Sequence, residues 1–121
     1  MNLILYIDSD PTYRRMISDL LTAQGFAVAL AGDGLQGLIQ ARQLQPELIL
    51  LDLNLPRIDG LELIKQLKAY SGTCRLPLIF MSRLPADWSA RLAEETGTQG
   101  FITKPFRPQD ILQLVQQTIP A

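Results

Sequence analysis

Five short apolar, β-rich runs alternate along this chain with five stretches of helical periodicity, and that alternation leaves few architectures open. The runs cover residues 3–7, 26–31, 48–51, 78–81 and 100–103. Between them apolar side chains recur three and four positions apart, the spacing of one helix face. Tyr13, Met16, Ile17, Leu20 and Leu21 make the first set, Leu35, Leu38, Ile39 and Ala41 the second, and Leu61, Leu63, Ile64 and Leu67 the third. A weaker fourth stretch carries Trp88, Leu92 and Ala93, and the last carries Ile111, Leu112, Leu114 and Val115. Strands joined through helices by short loops run parallel and keep helices on both faces of one sheet. The central run agrees, because residues 48–51 are apolar without interruption and suit a strand covered on both faces.

Local signals set the joints. Asp10 is placed to cap the first helix, Pro11 suits its first position, and Gly25 supplies its stop. Asp33 is a cap for the second helix, which Pro46 closes ahead of the central strand. The third helix is expected to fray into Ser71, Gly72 and Thr73. The last is expected to start at Pro108 and run out near Pro120. Trp88 is expected to pack the fourth helix onto the fold, and Cys74 to be an inert loop thiol. With 121 residues, 47% of them apolar, and no repeat or linker, residues 1–121 are expected to form one domain.

Composition removes several kinds of function. A net charge of −1 with scattered Lys and Arg gives no basic field, so direct nucleic-acid binding is not expected. No apolar run approaches the ~20 residues of a membrane span, and the chain is expected to be cytoplasmic, with no membrane partner. The absence of His removes His-based metal sites and Ser-His or Cys-His catalysis, and the single Cys cannot form an internal disulfide. Chemistry must rest on carboxylates, hydroxyls, Lys and Arg.

Open parallel sheets bind ligands beyond the carboxyl ends of their strands, at the point where strand order reverses. With the order 2-1-3-4-5, Asp8 and Asp52 would converge there, flanked by Ser82 and Lys104. Carboxylates held close together repel unless a cation intervenes, which invites a hard divalent ion such as Mg²⁺ or the ammonium of Lys104. A phosphoryl group arriving on one carboxylate would need the same cations, with a hydroxyl such as that of Ser82 to hold an oxygen.

These residues resemble the receiver domain of two-component response regulators, of the stand-alone, single-domain type. The loop from Asp52 through Asn54, Pro56 and Asp59 to Gly60 resembles its phosphoacceptor loop. Ser82 matches its Ser/Thr switch position, and Lys104, Pro105 and Phe106 resemble its Lys-Pro-Phe motif. The resemblance implies a doubly wound (βα)5 flavodoxin-like α/β fold, with a five-stranded parallel sheet in the order 2-1-3-4-5. It implies that Asp52 accepts a phosphoryl group from a sensor histidine kinase or phosphotransfer protein. Lys104 would contact a phosphoryl oxygen after a cis bond to Pro105, and Phe101 matches the aromatic switch position. Mg²⁺ would be held by the acids after the first strand, by Asp52 and by the main-chain carbonyl of Asn54. A downstream protein partner would read the face made by helix four, strand five and helix five, and a homodimer stays open. No enzyme activity is implied beyond the domain's own phosphorylation and dephosphorylation.

Two departures stand out. The acid pair after strand one is here Asp8 and Ser9, so Mg²⁺ is expected to bind weakly, and the residue after Ser82 is Arg83 rather than Ala or Gly. Arg83 is either a solvated loop side chain or a cation reaching toward Asp52 or its phosphoryl group. They motivate a rival reading, a pseudo-receiver that binds proteins independently of phosphorylation. A remoter rival is a haloacid-dehalogenase-like phosphatase, since Asp8, Asp10 and Thr12 fit its first motif with Asp8 as nucleophile. That family needs a further acidic motif beyond the Lys, and Asp110 inside the last helix is the only acid there.

Overall fold

The computed structural model describes residues 2–119. The elements run β1 (Leu3–Ile7), α1 (Pro11–Ala23), β2 (Ala27–Ala31), α2 (Gly34–Leu44), β3 (Leu48–Asp52) and α3 (Gly60–Ala69). They continue with β4 (Leu78–Ser82), α4 (Ala86–Thr96), β5 (Gly100–Thr103) and α5 (Pro108–Thr118). The five strands form one parallel sheet in the order β2-β1-β3-β4-β5. This is the doubly wound topology that the alternation of elements implies, and its reversal point lies between β1 and β3.

Side chains alternate across a strand, and here the alternation sorts two cores. Leu5, Ile7, Ile49, Leu51, Leu78 and Phe80 face the layer that includes α2 and α3, with Leu92 and Ala93 of α4 packed against it. Ile4, Tyr6, Leu48, Leu50, Ile79 and Met81 face Ile17 and Leu21 of α1 and Ile111 and Val115 of α5. The same parity, carried one or two residues past the strands, decides where the polar residues point.

The helix starts follow the sequence signals. Asp10 accepts from the Thr12 amide at 2.8 Å with Pro11 at the first helical position, and Asp33 accepts from the Gln36 amide at 2.8 Å. Asp59 caps α3 in the same way, accepting from Glu62 at 3.0 Å. The third helix does not fray. It ends at Ala69, and the buried Thr73 hydroxyl donates to the Leu67 carbonyl at 2.7 Å, satisfying one of its last acceptors. Cys74 lies half-buried in that loop. The expected end of the last helix near Pro120 falls outside the described residues, and α5 ends at Thr118.

Several apolar helix positions face solvent instead of the core. Met16, Leu35, Ile39 and Leu61 are exposed, and Trp88, expected to pack α4 down, is 66% exposed. Neighbours along a helix are about 100° apart, so the face set by Ser89, Leu92 and Ala93 turns Trp88 outward. Among the described residues no helix is long and apolar enough to cross a membrane.

Candidate functional site

Asp8, Asp52 and Lys104 share one sheet face by parity, extending the series Ile4–Tyr6, Leu48–Leu50 and Ile102. The structure brings them together. Lys104 Nζ donates to Asp8 Oδ2 at 2.9 Å and to Asp52 Oδ2 at 3.0 Å, and all three residues are buried. Burial alone would pull the Lys104 pKa down, but the bonds to Asp8 and Asp52 more than offset it, and the ammonium is held above its ordinary value.

The rest of the cup is built from groups the sequence reading passed over. Tyr6 donates its hydroxyl to Asp8 Oδ2 at 2.6 Å, and burial, then the bond to Asp8, pushes the phenol pKa far up, so it remains a neutral donor. The Asp10 amide donates to Asp8 Oδ1 at 2.9 Å, and Arg14 donates to the Asp8 carbonyl at 2.6 Å. The ring of Tyr13, on the first turn of α1, lies 3.9 Å from Lys104 Nζ and covers the ammonium. Tyr6 carried a readable signal, since it lies two residues before Asp8 on the same face of a strand otherwise aliphatic.

The loop after β3 folds back tightly. The Asn54 amide donates to Asp52 Oδ1 at 3.2 Å, and the Gly60 amide donates to the Leu53 carbonyl at 2.9 Å. A Cβ at Gly60 would lie 2.7 Å from the Asp52 carbonyl oxygen, so only glycine permits this approach. Lys104 reaches the pocket from a strand end followed by a cis bond to Pro105, as the resemblance implied.

Ser82 belongs to the opposite parity, with Leu78 and Phe80, and its hydroxyl faces α4. Its Oγ accepts from the Leu84 amide at 2.9 Å and from the Ser89 hydroxyl at 3.2 Å. Ser89 is fully buried and is the one buried residue of α4. Its signal was its place three and four residues before Leu92 and Ala93, on the inward stripe. Phe101 is half-buried and already stacked on Phe80, ring centroids 6.0 Å apart. Ser9 and Arg83 are exposed, and among the described residues Arg83 makes no ion pair with Asp52.

The family described as the response regulator receiver domain matches residues 4–116. The chain belongs to that family. Among curated relatives, the receiver is 34% identical over 113 residues to the "DNA-binding response regulator MtrA" of Mycolicibacterium smegmatis, covering 93% of this chain and 48% of that one. The chain thus spans about half the length of the curated relatives it matches. Among solved structures, the receiver superposes on the chemotaxis response regulator CheY4 of Vibrio cholerae with TM-score 0.91 and 26% identity, covering 98% of this chain and 99% of that one. It shares its fold with the receiver domain of the sensor histidine kinase PA1611 of Pseudomonas aeruginosa, with TM-score 0.88 at 24% identity over 99% and 98% of the two chains. That neighbour is described with a magnesium ion coordinated in its active-site cleft.

Receiver domains bind Mg²⁺ in the active site, and the donors present are of the right kind for it. Oxygens of Asp8, Asp52 and the Asn54 carbonyl are hard ligands, but the carboxylates number two and Lys104 already opposes both. Among the described residues no cluster of three or more acids, His or Cys is placed to hold a metal ion.

Proposed function

We propose that this receiver is a phosphorylation-switched signalling module in which Asp52 accepts a phosphoryl group from a sensor histidine kinase or a phosphotransfer protein. The observation that carries the reading is Lys104, buried between two carboxylates and bonded to both. An Asp52 oxygen attacks phosphorus, an O–P bond forms, and the bond to the donor's leaving group breaks. Charge then grows on the phosphoryl oxygens, and Lys104, already bonded to Asp52, is the cation beside them that can turn part of its bonding to that charge. Asp8, Asp52 and the Asn54 carbonyl would hold Mg²⁺, which would supply further positive charge at the site. With Ser9 in place of an acid, that ion is held weakly.

The added charge also competes for the Ser82 hydroxyl, which at rest is bonded to Ser89 of α4. A turn of Ser82 toward the phosphoryl group takes away the shorter of the two bonds of the buried Ser89 hydroxyl, leaving it only the Leu84 carbonyl at 3.4 Å and loosening the hold on α4. Phe101 already packs inward on Phe80, and its further movement would alter the surface of α4, β5 and α5. A downstream protein in the cytoplasm reads that face, with the chain working as one receiver unit and a homodimer as one form of the output. The curated relatives are named as DNA-binding, but a chain of net charge −1 offers no basic surface of its own.

Ser9 and the exposed Arg83 favour a second reading, a pseudo-receiver whose protein contacts need no phosphorylation. A phosphatase using Asp8 as nucleophile has the opposite support, because Asp8 is fully buried and bonded by Tyr6, Lys104 and the Asp10 amide. Intact mass after treatment with acetyl phosphate and Mg²⁺ separates the two readings. A single phosphoryl adduct is expected, absent in Asp52→Asn. No adduct, or one that survives Asp52→Asn, leaves the pseudo-receiver.

A further inference from the structure

We infer that Tyr6 is a positioning residue that reserves Asp8 for Lys104 and thereby holds down the pocket's affinity for divalent cations. The inference takes the pocket to be the phosphoryl-accepting site proposed above, but its test needs no phosphoryl donor.

β1 is buried on both faces, and Tyr6 is the one residue in it with a polar tip. Parity directs that tip along the face that ends in Asp8. Two acceptors lie within its reach. Met81 Sδ is 3.8 Å away and a weak acceptor, whereas Asp8 Oδ2 is 2.6 Å away, in the short range of a hydroxyl bonded to a carboxylate. The phenol therefore keeps its proton and donates it to Asp8 in a hydrogen bond.

A carboxylate offers about four lone-pair directions. On Asp8, Oδ2 takes Tyr6 and Lys104, and Oδ1 takes the Asp10 amide. On Asp52, Oδ2 takes Lys104 and Oδ1 takes the Asn54 amide. The Tyr13 ring closes over the ammonium, and among the described residues no buried side-chain polar atom lacks a partner. The pocket is thus balanced at rest by an ammonium. One direction on Asp8 Oδ1 stays free, but a divalent ion that engages Oδ2 must draw it away from a donor that has no other strong acceptor, and leaving a buried hydroxyl unpaired is costly. Ser9 leaves the pocket two carboxylates, and Tyr6 occupies part of one of them, Asp8.

The direct test is a Mg²⁺ titration of the metal-free, unphosphorylated protein followed by backbone amide NMR shifts, comparing wild type with Tyr6→Phe. Removing the hydroxyl frees a lone pair on Asp8, and Mg²⁺ affinity is expected to tighten by roughly three- to tenfold, the worth of one net hydrogen bond. The gain should also appear when Tyr6→Phe is added to Ser9→Asp. A purely structural role for Tyr6 would lower stability without tightening binding, so equal or weaker affinity in a well-dispersed Tyr6→Phe spectrum overturns the inference. If Tyr6→Phe does not fold, wild type decides. A slowly exchanging phenolic proton with cross-peaks to the Met81 methyl group is expected, and it should shift as Mg²⁺ saturates. Absence of that proton, or its indifference to Mg²⁺, overturns the inference. Failure of Asp52 to form an adduct would be seen separately by mass, because no phosphodonor enters this titration.

Discussion

The β1–β3 side of the site and the β4–β5 side bring polar residues to the same end of one sheet, but they are held in opposite ways. All five residues of β3 are buried, whereas all four of β5 are only half-buried. On the first side Asp8, Asp52 and Tyr6 close a set of bonds around the ammonium of Lys104, which reaches over from the end of β5. On the second, α4 fully buries one residue, Ser89, bonded to Ser82, and otherwise rests on the sheet through the half-buried Leu92 and Ala93. The difference teaches how a small domain can both hold charge and report it. The acids need a rigid, desolvated frame so that new charge meets fixed partners, and the reporting helix needs a hold weak enough for that charge to break.

The sharpest way to break this contrast is Lys104→Ala. It leaves Asp8 and Asp52 buried without their cation, and a loss of about 3–5 kcal/mol in denaturant unfolding is expected. Mg²⁺ should restore part of it and should stabilise this variant more than wild type. A loss below about 1 kcal/mol would mean that the charges do not hold the frame.

Gly60→Ala tests the same side through backbone. Its Cβ would press on the Asp52 carbonyl, and about 1–3 kcal/mol of destabilisation is expected, with shifts at the Asp52 and Asn54 amides. A neutral outcome would mean the loop is as yielding as the β4–β5 side.

Ser89→Ala addresses the loose side. The expected loss is only about 1 kcal/mol, one buried hydrogen bond, with faster amide exchange in α4 and no change in β3. Since Ser82 is then released from α4, uptake from acetyl phosphate should speed up. Slower exchange in α4, or equal disturbance of β3, would erase the contrast.

The smallest effect concerns the start of α5, where Asp110 is bonded by Arg107 side-chain and backbone groups. Those bonds hold its carboxyl below the ordinary value of 3.8. A group with a lowered folded pKa stabilises above its unfolded value and loses that contribution as pH falls through the folded one. Asp110→Asn should therefore be slightly less stable than wild type at neutral pH, with the difference fading as pH falls below about 4, measured by thermal unfolding across pH.

The fold was legible because each signal was local. Asp10 and Asp33 cap their helices through their own sequence neighbours, and uninterrupted apolar runs mark buried strands. The meeting of Asp8 and Asp52 was legible too, since strand order puts the ends of β1 and β3 side by side, and Lys104, one strand further out, has the length to reach across the end of β4. What stayed hidden depended on parity and on helix rotation. Ser82 was read into the cup, but β4 offers its even positions to the other face, so its hydroxyl meets α4. Tyr6 and Ser89 carried weak signals, the one by its parity with Asp8 and the other by its spacing to Leu92 and Ala93, but the exposed Trp88 beside Ser89 pointed the other way. Nothing in the local sequence says which of two adjacent helix residues a sheet will cover.

The account rests most directly on where added charge is felt, and an amide shift map of the protein before and after reaction with acetyl phosphate and Mg²⁺ reads that out. Changes should be largest at Asp52 and its loop, include the Asp8 end of β1, extend through Ser82 and Ser89 into α4 and β5, and leave β2 nearly still. Shifts spread evenly over β1 and β2, or a map in which α4 does not respond although Asp52 carries the phosphoryl group, would contradict it.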